Sequence, residues 1–299
     1  MNGDGKYEII QASFDGKVYV FLSDGTDLPG WPVAVHYEGG DGSGEYNRIF
    51  TSTAVADFNG DGTPDVLVGS NEKLGKAGGV GAVYLLDGRG TKAGAKPWLP
   101  NWPVTMVSFN LFPVISEGVG NSPIAGDFDG DGKPEAVMHG NASSPLIVPA
   151  DPGTQKGLSS TPTNALPVRI DPDTQVEERG LAPTSIFGAD SKANQPDTMF
   201  PLFAQPSMGD LDQDGVPDVV SSGGSLSLAQ NLLSSQPSQS VPQNLLAMWS
   251  GKTGNMLAGS PVVLEDFPFF NSQALADLNG DGYPEVLTGT GGYFVHAAD

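Results

Sequence analysis

Oxygen-bearing side chains alternate with small or turn-forming residues in four nine-residue stretches of this chain. They are Asp57-Phe-Asn-Gly-Asp-Gly-Thr-Pro-Asp65, Asp127-Phe-Asp-Gly-Asp-Gly-Lys-Pro-Glu135, Asp210-Leu-Asp-Gln-Asp-Gly-Val-Pro-Asp218 and Asp277-Leu-Asn-Gly-Asp-Gly-Tyr-Pro-Glu285. A fifth stretch, Met1-Asn-Gly-Asp-Gly-Lys-Tyr-Glu8, follows the same pattern from its second position onward. Bending several carboxylates and a carbonyl around one point suits calcium, a hard cation that takes roughly six to eight oxygens at about 2.3–2.6 Å. The expected side-chain ligands are Asn2, Asp4 and Glu8; Asp57, Asn59, Asp61 and Asp65; Asp127, Asp129, Asp131 and Glu135; Asp210, Asp212, Asp214 and Asp218; and Asp277, Asn279, Asp281 and Glu285. Lys6, Thr63, Lys133, Val216 and Tyr283, at position seven, are expected to offer backbone carbonyls. The sequence therefore predicts four complete calcium sites and one incomplete site.

Position twelve separates these loops from the helix-flanked EF-hand, which needs a bidentate Glu there. The residues present are Val68, Met138, Ser221 and Thr288, none of which carries a carboxylate. Proline at position eight is followed by short apolar runs such as Val66-Leu-Val68 and Val219-Val220, too brief for a helix and rich in β-branched residues. The loop is thus expected to join two strands. Asp, Asn and Gly also make ordinary hairpin turns, but five copies in register, each with an acid at position nine, exceed what turn propensity alone produces.

The elements that position these loops recur with them, at intervals of 70, 83 and 67 residues between first aspartates, as in a repeat array whose units carry insertions. In the second unit the sequence predicts strands at Ser52-Thr-Ala-Val-Ala56, Asp65-Val-Leu-Val-Gly69, Gly81-Ala-Val-Tyr-Leu-Leu86 and Asn101-Trp-Pro-Val-Thr105. Four strands per repeat make a propeller blade. Small residues precede each complete loop, at Ala54-Val-Ala56, Ile124-Ala-Gly126, Ser207-Met-Gly209 and Ala274-Leu-Ala276, as innermost strands crowding a central channel require. Leu28-Pro-Gly-Trp-Pro-Val33, Leu99-Pro-Asn-Trp-Pro-Val104 and Leu257-Ala-Gly-Ser-Pro-Val262 place proline where an edge strand tolerates it, with Trp31 and Trp102 expected to pack between blades.

On these loops the chain resembles the FG-GAP/VCBS-type repeats of calcium-binding β-propellers, similar to integrin α headpieces and to many bacterial surface proteins. The resemblance implies an all-β chain: an open arc of about four to five four-stranded blades from a larger propeller of seven or eight. The expected units are 1–50 (partial), 51–120, 121–203, 204–270 and 271–299 (partial), forming one propeller body. Further blades are expected beyond both ends. Residues 141–200 and 225–244 depart from the blade pattern and are expected as rim loops, with a short helix at Leu226-Ser-Leu-Ala-Gln-Asn-Leu-Leu233.

The net charge of −21, with 35 Asp and Glu against 14 scattered Lys and Arg, makes nucleic acid a poor partner. Without cysteine there are no disulfides and no thiolate metal sites. No run is long and apolar enough to span a bilayer as a helix. No GxSxG, HExxH or Walker pattern appears; His36, His139 and His296 lie in different units, and Asn141-Ala-Ser143 is an isolated glycosylation-type triplet. Gly78-Gly-Val-Gly-Ala82 lacks the aspartate of a β-roll nonapeptide. Loops of this kind stay filled where calcium is plentiful, so a secreted or cell-surface setting, of bacterial type, is expected. The chain is therefore read as a calcium-stabilised extracellular propeller that binds proteins or glycans. The alternatives are a calcium-bearing propeller polysaccharide lyase, in a catalytic or non-catalytic part, and a propeller lectin.

Overall fold

The computed structural model describes residues 1–35, 48–71, 80–93, 95–107, 119–140, 145–152, 168–170, 177–179, 199–200, 204–225, 244–253, 256–268, 270–292 and 294–299. His36, Asn141-Ala-Ser143 and the helix expected at Leu226–Leu233 lie outside them, as do most of 141–200 and nearly all of 225–244. Among the described residues there is no helix, so none is long and apolar enough to cross a membrane.

Among the described residues twenty strands form five sheets. The first holds β1 (Ile9–Ala12), β2 (Lys17–Phe21) and β3 (Val33–Ala34), and the second β4 (Ala54–Ala56), β5 (Asp65–Ser70), β6 (Val80–Leu86) and β7 (Val104–Val107). In the third, β8 (Ile124–Gly126), β9 (Glu135–Met138) and β10 (Leu146–Val148) are extended by β11 (Val168–Ile170) and β12 (Glu177–Arg179). The fourth holds β13 (Met199–Phe200), β14 (Ser207–Gly209), β15 (Asp218–Ser225), β16 (Asn244–Trp249) and β17 (Val262–Leu264). The last holds β18 (Ala274–Ala276), β19 (Glu285–Gly289) and β20 (Val295–Ala298).

Each complete loop joins two consecutive strands of one sheet in an antiparallel hairpin: β4 to β5, β8 to β9, β14 to β15 and β18 to β19. Two expectations need correction. The stretch 141–200 is not loop throughout, because Leu146–Val148 is the third strand of its sheet and β11 pairs parallel to it. That apolar triplet is short and followed by Pro149, so it carried no periodic signal. The four-stranded meander is likewise not uniform: the third sheet has five strands, and β13 and β14 both pair with β15.

The core lies between sheets. Val66 and Val68 of β5 pack with Val18, Val20 and Trp31 of the first sheet, while Leu67 between them packs with Ala136, Met138 and Val148 of the third. Further along, Val219 faces Val137 and Ile147 while Val220 faces Val286. Strands covered on both faces need apolar residues on both, which is why β5 and β9 are buried at every position and carry the apolar runs Val66-Leu-Val68 and Ala136-Val-Met138. Trp31 and Trp102 sit between sheets as expected, each indole N–H reaching a carbonyl of the next sheet: Gly88 O at 3.3 Å and Ala150 O at 2.7 Å.

Innermost strands β4, β8, β14 and β18 abut in succession, which makes the sheets blades of an arc. Five residues before the first three complete loops, Ser52 N donates to Ser122 Oγ at 2.9 Å, Ser122 N donates to Gln205 Oε1, and Gln205 N donates at 2.7 Å to Asn271 O, just before the last. Small residues are needed at the other end of these strands. A Cβ on Gly126 would stand 2.7 Å from Met208 Sδ of the next blade, and one on Gly209 2.7 Å from Leu275 Cδ2.

Candidate metal centres

Within each loop the carboxylates are held by the backbone they encircle. Asp57 accepts Asp61 N and Gly62 N at 3.0 and 2.9 Å; Asp127 accepts Gly130 N and Gly132 N at 2.7 and 2.9 Å; Asp277 accepts Gly280 N and Gly282 N at 2.6 and 3.0 Å. Asp210 accepts Gly215 N at 3.1 Å. The position-seven N–H then donates to the position-five carboxylate, from Lys6, Thr63, Lys133, Val216 and Tyr283 to Asp4, Asp61, Asp131, Asp214 and Asp281, all at 2.7–2.9 Å. The turn needs left-handed backbone at position six, where φ is +84° at Gly62 and +97° at Gly282, so a glycine there avoids a Cβ clash. Gln213 takes the left-handed place that glycine fills at position four elsewhere, and its amide donates across to Gly282 O of the next loop.

The ninth residue closes each loop. Glu135, Asp218 and Glu285 accept the N–H of Phe128, Leu211 and Leu278 at 2.7, 2.7 and 2.6 Å. Asp65 and Asp218 also accept from Gly88 N and Gly251 N, at 3.2 and 3.1 Å, in the turn that leaves the third strand. The contact of these turns with the ninth residue escaped the sequence reading. Their signal is a glycine two residues past the third strand, which must be one because a Cβ on Gly88 or Gly251 would meet the carbonyl oxygen of Pro64 or Pro217 at 2.0 or 1.8 Å.

Carboxylates converge in three loops. Asp127, Asp129 and Glu135 bring oxygens within 4.8 Å of one another, as do Asp210, Asp212 and Asp218, and as do Asp281, Glu285 and Asp299. Asp299, just past β20, lies far from its loop in sequence and was not expected there. In the loop at 57–65 the third position is Asn59, and Arg89 holds Asp61 Oδ2 at 2.6 Å. In the first loop, Asn2 Oδ1 accepts Asp4 N at 2.9 Å, and Glu8 binds the amino group of Met1 at 2.8 Å.

These donors fit a cation. Asp65 Oδ2, Asp210 Oδ1 and Glu285 Oε1 are buried and have no hydrogen-bond partner, although Asp65 is 0% and Glu285 only 5% exposed. A buried carboxylate oxygen left without a donor is costly unless an ion meets it. Burial, reinforced by the neighbouring acids, pushes the Asp65 and Asp218 carboxyls up to about 6 and Glu135 up to about 7. The Arg89 guanidinium instead holds Asp61 down at about 2.

A pH dependence follows for the calcium-free protein. Carboxyls raised on folding favour the fold fully below about pH 4 and lose that contribution as pH rises through 6 to 7. Buried His139, 2.9 Å from Asn121 and pushed down to about 4 by burial, works the other way below about pH 6.5. Three carboxyls outweigh one imidazole. Melting of the calcium-free chain is therefore expected at higher temperature at pH 5.5 than at pH 8, with the fall abolished in calcium. A flat calcium-free profile would show these carboxyls ionised in the fold.

The family described as FG-GAP-like repeat matches residues 1–68 and 57–138, and the FG-GAP repeat matches 269–299. No curated protein matches the sequence. Among solved structures the chain is similar to rhamnogalacturonan lyase YesW, at 15% identity and a TM-score of 0.43 over 93% of this chain and 49% of that one. It is also similar to the Bacillus licheniformis rhamnogalacturonan lyase PL11, at 17% identity and a TM-score of 0.42 over 92% of this chain and 48% of that one. The chain thus spans about half the length of these two structures.

Proposed function

The chain is an FG-GAP repeat protein folded as an arc of β-propeller blades, and from that premise we propose a calcium-stabilised extracellular module that binds proteins or glycans. Calcium occupies the four complete loops and, more weakly, the first, through Asn2, Asp4 and Glu8. The observation that carries the metal is the set of buried carboxylate oxygens without hydrogen-bond partners, in loops whose other oxygens are already turned inward. Asp and Asn oxygens with position-seven carbonyls suit calcium over magnesium, which demands tighter octahedral geometry and keeps its waters.

Calcium here is a staple. It cancels charge among clustered acids and fixes the hairpins from which the longer segments of the third and fourth units depart. An acidic scaffold carrying long segments outside the blade pattern suits recognition, and it repels polyanions in the absence of a compensating basic cluster. The parts of 141–200 outside the buried strand Leu146–Val148, together with 225–244, are the proposed recognition segments, and a secreted or cell-surface setting keeps the loops filled.

The calcium-loaded full chain, applied to glycan and protein arrays and incubated with uronate polymers, tests this reading. Retention on a ligand without change to the polymer supports a binding module. Unsaturated sugar products would instead make the chain part of a lyase, and a pocket for neutral sugars alone would make it a lectin.

A further inference from the structure

The loops are not electrostatically equal, and the difference follows the strand register. Val66 pairs with Leu86 in the second sheet and Val219 with Trp249 in the fourth, so Arg89 and Lys252 occupy the same place, three residues past the paired position. Both send a cation to the outer oxygen of the position-five aspartate: Arg89 Nη1 stands 2.6 Å from Asp61 Oδ2, and Lys252 Nζ stands 3.3 Å from Asp214 Oδ2. In the third sheet Ala136 pairs with Val148, which puts an acid, Asp151, at that place. The cation of that loop is Lys133 at position seven, and it leans away. A Cβ on Gly60 would lie 2.8 Å from Lys133 Cε and 3.5 Å from its Nζ, so this ammonium rests on the preceding loop.

We infer that Arg89 and Lys252 are resident counter-cations that lower the calcium affinity of loops 57–65 and 210–218. Loop 127–135, which has an acid at that place, consequently fills before them. This rests on the calcium reading proposed above, and the buried, partnerless oxygens of Asp65 and Glu285 support that reading independently of the cations. Loop 57–65 is the weakest of the four complete sites, because Arg89 and Lys133 both stand against it. A resident cation also keeps a loop ordered when calcium is scarce, since it screens the same carboxylates that the ion would join. Filling is therefore graded, with loop 127–135 responding to lower calcium than loops 57–65 and 210–218.

Calorimetric calcium titration of the full chain tests this with Arg89→Ala, Arg89→Lys and Lys252→Ala. A unit charge about 6 Å from a divalent ion in a well-solvated loop changes affinity by roughly three- to tenfold. Arg89→Ala is expected to tighten the weakest of the four complete-loop steps by about that factor, and Arg89→Lys to leave it near the wild-type value. Adding Asp57→Asn to Arg89→Ala should abolish the tightened step, which assigns it to loop 57–65. Lys252→Ala should tighten a different step. If wild type binds calcium but Arg89→Ala and Lys252→Ala bind it unchanged or more weakly, the inference is overturned and the calcium reading stands. If wild type binds no calcium, both fall.

Discussion

Stripping calcium from the full chain is expected to lower its melting temperature by on the order of 10 °C or more. A ligand bound only to the native state, at about a hundred times its dissociation constant, stabilises by about 2.7 kcal/mol per site. In a large domain each kcal/mol moves the midpoint by roughly 2 °C, and four complete loops contribute together. The reason lies in the hairpins. Each loop gathers carboxylates whose charges repel, and in three loops a buried oxygen has no donor. Scanning calorimetry in calcium, in chelator and in magnesium at matched ionic strength measures the effect, and magnesium is expected to restore little of it. Superimposable calcium and chelator curves would remove the metal from this protein.

Phe128→Ala is expected to destabilise the chain by about 3–5 kcal/mol, the range for emptying a buried aromatic site. Phe128 is the second residue of its loop and only 1% exposed, packed with Val219 and Trp249 of the next blade. Gly251 of that blade has no room for a Cβ beside it, since one would stand 2.5 Å from Phe128 Cδ1. The N–H of Phe128 donates to Glu135, so the residue that wedges two blades also frames the loop 127–135. Calcium affinity at 127–135 should fall with stability. Leu278 is the internal control, because it holds the same loop position in the last blade and is 57% exposed. Leu278→Ala is expected to cost less than about 0.5 kcal/mol. Equal losses in the two variants, read from denaturant unfolding, would separate the loop position from inter-blade packing.

Much of the fold was legible because the loop motif is local. Ligand spacing, the glycine at position six and the strand-forming runs after Pro64, Pro134, Pro217 and Pro284 all lie within a dozen residues of one another. Trp31 and Trp102 were legible for a related reason, since a large aromatic beside an edge proline has few places to go except the adjoining blade. Leu146–Val148 was not legible as a strand: three apolar residues beside proline carry no period, and the strand exists because β9 offers it a partner. Arg89, Lys252 and Asp299 were missed because each approaches its loop through the neighbouring third strand, at a distance fixed by register and invisible in spacing.

The sequence by itself determined the chemistry of each loop and the β-hairpin it sits in, because the ligands and the turn are encoded in one short run of chain. Tertiary structure alone decided which loops have a counter-cation, which aromatic wedges are buried and which carboxylate oxygens are left without a donor. Those properties belong to the contact between one strand and the next or one blade and the next, and burial and electrostatic screening are set there.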